Sequence, residues 1–146
     1  MKNIGLGILI MNTRDDRIIN NLFRLAQDID PVKSSRLAAC IVYKNTVMGY
    51  GFSQMKSHPF QAEFAKNEDA IYLHAETDAI KNALKRVSQD DVARSTLYIA
   101  RAKIHVETKK WMYGLAKPCP GCARAIATFD IQNVVYTLEG DDYKYM

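Results

Sequence analysis

A chain of 146 residues and 16.6 kDa, with 48% hydrophobic and 25% charged residues and only 7 Gly and 4 Pro, is the size of one ordinary domain (1–146) able to bury its own core. Collagen-like, low-complexity and disordered classes are excluded. Twenty Lys and Arg against sixteen Asp and Glu leave +4, a mild basic excess that suits an anionic ligand without demanding nucleic acid, and an odd count of three cysteines argues against a secreted disulfide framework.

No apolar run approaches the roughly 20 residues a bilayer requires, so no membrane partner is expected. The apolar stretch 4–11 has one Lys2 before it and the polar run Asn12-Thr13-Arg14-Asp15-Asp16 after it, which reads as a packed N-terminal segment rather than a signal peptide. The expected location is the reducing cytoplasm.

In chain order, Ile18, Ile19, Leu22, Phe23, Leu25, Ala26 and Ile29 recur at helical steps and predict a helix over 13–29, with Thr13 as N-cap and Asp30-Pro31 as its stop. Residues 37–43 and 47–52 are apolar and largely β-favouring around the short Lys44-Asn45-Thr46, a hairpin. An irregular stretch follows over 53–73. Residues 75–87 predict a helix with Ala79, Ile80, Ala83, Leu84 and Val87 inward, 96–101 a strand, and 102–117 a second long loop. A helix over 119–130, with Pro120 in its first turn, and a strand over 133–138 complete the pattern. Helix, hairpin, helix, strand, helix, strand predicts an α/β class with a mixed sheet of four to five strands. Loops of about 20 and 16 residues exceed ordinary connections and are expected to line a site.

Two short patterns carry the chemistry. His74-Ala75-Glu76 opens one crossover helix and Pro118-Cys119-Pro120-Gly121-Cys122 opens the next. Alone, such a His is more often a cap or a packed residue, and a Cys-x-x-Cys is a redox pair, half a zinc ribbon or an accident. Together they converge, because helices that follow parallel strands begin at the same sheet edge. Cys119 and Cys122, three apart, share a helical face, and the helix dipole favours their thiolates. One imidazole and two thiolates neutralise Zn²⁺ and leave one position open, the ligand count of a catalytic zinc. Glu76 shares the buried face of its helix with Ile80 and Ala83, where a proton shuttle belongs and a solvated glutamate does not. Cys40, among Leu37, Ala38, Ala39 and Ile41, reads as core.

At these residues the sequence resembles the zinc-dependent cytidine and deoxycytidylate deaminase superfamily, whose His-x-Glu and Pro-Cys-x-x-Cys signature is met by His74, Glu76, Pro118, Cys119 and Cys122. The resemblance runs from the hairpin to residue 138 and is nearest the deoxycytidylate branch, which has His as first ligand. It implies a three-layer α/β/α fold, a Zn²⁺ cofactor and hydrolytic deamination of a cytosine nucleotide, with Glu76 moving protons and the Ala75 N–H binding the base carbonyl. Many relatives carry an asparagine after the second strand; here Ser53 or Gln54 takes that place. Lys56, His58, Arg101, Lys103, Lys109 and Lys110 are candidate phosphate contacts, Trp111 and Tyr113 candidate stacking residues, and Pro118 is grouped with the substrate-binding set. The tail 139–146 is too short for the usual fifth strand, so the sheet is expected to end early or to have its edge covered by a partner subunit in a homo-oligomer. Competing readings are a single-stranded DNA or RNA editor, a purine deaminase, and a non-catalytic zinc-stabilised module.

Overall fold

The computed structural model describes residues 13–32, 35–55, 58–64 and 73–146, so the stretch 4–11 and Lys56 lie outside the described residues. The first helix, α1 (Thr13–Gln27), buries Ile19, Leu22 and Ala26 along one stripe and carries Asp15 and Asp16 in its first turn, where the helix dipole favours acids. Strands β1 (Arg36–Tyr43) and β2 (Thr46–Phe52) form the expected hairpin. Lys44 and Asn45 both adopt positive φ, 51° and 63°, so the two-residue turn matches the right-handed twist of the strands.

Beyond the hairpin the structure adds detail that periodicity did not supply. The stretch expected to be irregular holds a short helix, α2 (Pro59–Phe64), started by Pro59 and by the Phe60 N–H donating to His58 Nδ1 at 3.0 Å. The helix expected over 75–87 is two: α3 (Ala75–Ala83), then α4 (Gln89–Ala93), restarted by a capping box in which Ser88 and Asp91 bond each other's backbone N–H. Strand β3 (Thr96–Ile104) outruns the predicted 96–101 because β4 (Trp111–Gly114) folds back on it. After α5 (Pro120–Thr128) and β5 (Asn133–Thr137), the tail forms β6 (Tyr143–Tyr145), antiparallel to β5, so the chain's own tail covers this edge.

The mixed sheet therefore has six strands in the order β2-β1-β3-β5-β6, with β4 beside β3. Each strand supplies two cores through its period of two. Ala39, Ile41, Leu97, Ile99, Val134 and Tyr136 face α3, α5 and α2, while Ala38, Cys40, Tyr98, Ala100 and Val135 face α1. The result is the three-layer α/β/α class, with Cys40 fully buried.

Two contacts set the layers. Helix α3 lies on β2 with its backbone against Gly49 and Gly51. A Cβ on Gly51 would fall 2.2 Å from both Ala75 O and Ala79 N, and one on Gly49 2.5 Å from Ala83 N. On the other face, Asp15, 1% exposed, accepts from the hydroxyls of Tyr98 on β3 and Tyr145 on β6, and Tyr143 OH donates to Asp16 at 2.5 Å. These bonds tie α1 to the sheet.

Two measurements check these contacts. Gly51→Ala should destabilise the fold by about 3 kcal/mol or more, because the added methyl meets backbone that has no rotamer to change; an unchanged urea midpoint would contradict the packing. The Tyr145 hydroxyl is pushed up from 10.0 to about 12, by burial first and then by its bond to Asp15. Only the protonated phenol donates, so its contribution is complete below the ordinary tyrosine value and is lost as pH rises through about 12. Wild-type stability should fall on this alkaline titration, and more shallowly in Tyr145→Phe.

Candidate active site

Strands β2 and β3 both run antiparallel to β1 and hence parallel to each other. The helices that follow them therefore begin at one end of the sheet. His74 is the N-cap residue of α3, Cys119 that of α5, and Pro120 occupies the first turn of α5. The Cys119 sulfur accepts from the Cys122 N–H at 3.5 Å, which folds the Pro-Cys-Pro-Gly-Cys segment so that both sulfurs meet His74. His74 Nδ1 lies 3.2 Å from Cys122 Sγ and 3.5 Å from Cys119 Sγ, and the three donor atoms lie within 4.8 Å of one another.

This donor set fits zinc. Zn–S bonds of about 2.3 Å and Zn–N bonds of about 2.0–2.1 Å in a tetrahedron separate nitrogen from sulfur by about 3.6 Å, close to the two distances found. The thiols are already polarised against each other. A hydrogen bond from Cys122, with His74 adding to it, takes Cys119 from 9.0 down to about 3, whereas the same bond and burial push Cys122 up. A divalent cation held here would displace the shared proton.

Glu76 stands next to this cluster. It is 4% exposed, and its Oε1 is buried without a hydrogen-bond partner among the described residues. Burial raises its carboxyl above the ordinary 4.5, partly offset by His74. A buried carboxylate oxygen without a donor is costly, and one placed against three convergent ligand atoms fits a metal-centred reaction.

His74, Glu76 and Cys119 line a cavity of about 290 Å³ whose walls also include Leu37, Ser53, Leu73, Leu115, Ala116, Arg101 and Lys117. Ser53 is buried here, its Oγ accepting from the Leu37 N–H at 3.2 Å. Ala75 is buried in the first turn of α3, where amide N–H groups have no intrahelical acceptor. Pro118 leads directly into the α5 cap and is half-buried.

Three of the expected substrate contacts point elsewhere. The Gln54 amide donates to Asp78 Oδ2 at 3.1 Å. Trp111 carries the Arg36 guanidinium, 5.1 Å from the ring centroid, on β4. Tyr113 sits on the α1 face, its hydroxyl donating to Asn20 at 3.0 Å and its ring edge-on to Phe23 at 4.8 Å. Strand pairing holds both aromatics, and neither is among the wall residues of the cavity that Glu76 lines.

Gln61 belongs to neither sequence motif. From α2, 1% exposed, its Oε1 accepts from the His74 N–H at 3.1 Å and from the Thr77 hydroxyl, so it fixes the turn that presents the imidazole. The signal was slight: one polar residue on the buried face of a six-residue helix. Lys117 was also passed over, although it lies one residue before the cysteine motif.

Gln61→Leu should lower stability by about 1–3 kcal/mol, since two buried donors lose their acceptor, and should weaken zinc binding about tenfold or more in a chelator competition. Cys122→Ser should lower zinc occupancy and melting temperature together. Unchanged metal content after that substitution would show that the ligand set is different.

Comparison with known proteins follows the same lines. Residues 12–138 match the sequence family described as the cytidine and deoxycytidylate deaminase zinc-binding region. Among curated proteins, none matches the chain. Among solved structures, the dCMP deaminase of cyanophage S-TIM5 in its apo form is similar at 18% identity and TM-score 0.61, over 89% of this chain and 86% of that one. The same enzyme in complex with dCMP and dUMP is similar at 17% identity and TM-score 0.58, over 87% and 82%. RibD of Acinetobacter baumannii, at 18% identity and TM-score 0.53, matches over 86% of this chain but only 28% of its own.

Proposed function

Since the chain belongs to the cytidine and deoxycytidylate deaminase zinc-binding family and is a deaminase, we propose that its substrate is a cytosine mononucleotide, deoxycytidylate or a close relative, which it converts with water to the uracil nucleotide and ammonia. The observation that carries this reading is the placement of Glu76, buried and unpartnered at Oε1 among the described residues, beside the His74–Cys119–Cys122 cluster in a cavity whose walls also include Arg101 and Lys117.

When bound by His74 Nδ1, Cys119 Sγ and Cys122 Sγ, zinc supplies the Lewis acidity that makes water a nucleophile near neutral pH. The rest is the work of the chain. Glu76 accepts the proton that water gives up, holds it in a buried environment that raises its proton affinity, and hands it on. It gives that proton to the ring nitrogen as the water oxygen bonds the ring carbon. It then takes the added hydroxyl's remaining proton and gives it to the exocyclic amine, so that the C–N bond breaks, the carbonyl forms and ammonia leaves. The Ala75 N–H, in the first turn of α3, is the donor for the base carbonyl. Leu37, Leu73 and Leu115 keep bulk water from the base, and Ser53 closes the wall beside it. Two cations among the wall residues favour a phosphorylated substrate.

Glu76→Gln should retain zinc and lose about 10²–10⁴-fold in kcat; full turnover by this variant would refute the role. Glu76 must start deprotonated, and burial raises its carboxyl. Activity should therefore fall on acidification as this carboxylate is protonated, and the acid limb of kcat/KM should disappear in Glu76→Gln. Ammonia release from dCMP, CMP, deoxycytidine, guanine and a cytosine-containing single-stranded oligonucleotide gives the substrate directly, and silence from all of them would reject the reading. The same proposal places the enzyme in a reducing cytoplasm, where its three thiols stay free, and in a homo-oligomer, measured by light scattering.

A further inference from the structure

Resting on the nucleotide reading above, we propose that Arg101, given its path by the missing side chain of Gly114, selects a phosphate monoester over the corresponding nucleoside. Arg101 lies near the end of β3 and walls two cavities at once: the one of about 290 Å³ that ends at Glu76, and a second of about 650 Å³ that also takes in Lys103, His105 and Glu139. A ligand whose base meets Glu76 in the first cavity therefore shares that cavity with the Arg101 side chain. Its Nε is buried with no hydrogen-bond partner among the described residues, and its charge also acts on Glu139 across the second cavity. Glu139, a wall residue of the second cavity, is engaged by Lys103. A buried guanidinium nitrogen without an acceptor is unusual in a folded chain, and a planar fork of donors matches a phosphate better than any other common anion of a nucleotide.

Its position is built rather than incidental. Arg101 is the register partner of Gly114 on β4, and a Cβ at Gly114 would fall 2.8 Å from Arg101 Cδ and 2.9 Å from its Cγ. The stem crosses the strand through the space a side chain would fill. The buried Thr137 of β5 locks the crossing, accepting from the Arg101 N–H at 3.1 Å and donating to Gly114 O at 2.7 Å. Three strands thus fix the stem of one side chain that walls both cavities.

The test is calorimetric titration of dCMP and of deoxycytidine into zinc-loaded protein carrying Glu76→Gln to suppress turnover. Adding Arg101→Ala should weaken dCMP binding about 10- to 100-fold and lower the ratio of dCMP to deoxycytidine affinity by the same factor. Arg101→Lys, which keeps the charge and loses the fork, should fall between. Gly114→Ala should reproduce part of the loss and add little to that of Arg101→Ala. An unchanged affinity ratio in Arg101→Ala overturns the assignment, as does a single-stranded oligodeoxycytidylate that binds more tightly than dCMP. If Arg101→Ala does not hold zinc, the Arg101→Lys and Gly114→Ala ratios decide by the same criterion. If neither dCMP nor deoxycytidine binds, the nucleotide reading has failed, and inorganic phosphate decides on Arg101 alone. A melting temperature raised by phosphate in the wild type and not in Arg101→Ala upholds an anion site; an equal response overturns it.

Discussion

The whole site hangs on how closely α3 approaches β2. Gly49 and Gly51 present bare backbone on the face where Ala75, Ala79 and Ala83 recur every fourth residue, and the two backbones touch. A helix held this way has no slack along its length, so the residue that caps it is fixed relative to the sheet end. Asp78 adds direction: its carboxylate accepts from the Phe52 N–H, where β2 stops, and from the Gln54 amide that follows. Gln61 then fixes the backbone of His74 from the opposite side. Catalytic geometry needs tolerances of about half an ångström, and here they come from small residues and buried hydrogen bonds rather than from large side chains.

Against this rigid frame the site concentrates arrangements that an ordinary core avoids. Two thiols are driven apart in proton affinity, a carboxyl is raised by burial, and one oxygen of that carboxyl and one guanidinium nitrogen are buried without a partner among the described residues. Elsewhere among the described residues the local rules are kept: the hairpin turn uses residues tolerant of positive φ, α4 carries a capping box, and strand faces alternate cleanly between two cores. A buried carboxyl and a buried guanidinium nitrogen without partners, lining one cavity, are the pattern expected where stability is traded for chemistry.

How much of this was legible in the sequence depended on whether a feature was local. The α1 stripe, the hairpin and the paired motifs were readable because each is a short pattern with its own physical cause. The His74–Cys119–Cys122 cluster needed one more step, the rule that helices after parallel strands share an edge, and that rule holds here. What was lost was set by partners distant in sequence. Strand β4 exists because β3 continues far enough to pair with it, and β6 because β5 offers an edge. Trp111 and Tyr113 look like stacking residues in a loop and are placed otherwise once that loop is a strand against α1. The glycine–alanine seam was visible as two glycines alternating in a strand and alanines every fourth residue, but nothing local says that the two patterns face each other.

The tyrosine–aspartate bonds on the far face also bear on the order in which the molecule can be completed. Asp15 and Tyr145 are separated by 130 positions, and Tyr145 follows ten of the eleven elements in whole. In a chain made from its N-terminal end, the strand that seals the β5 edge therefore becomes available after the other described elements, and α1 lacks two of its three tyrosine–aspartate bonds until then. For that interval the sheet presents an unpaired strand of Val134, Val135 and Tyr136, the kind of edge on which nascent chains associate. The two carboxylates at the start of the first helix thus act as the latch that ends the molecule's most exposed moment.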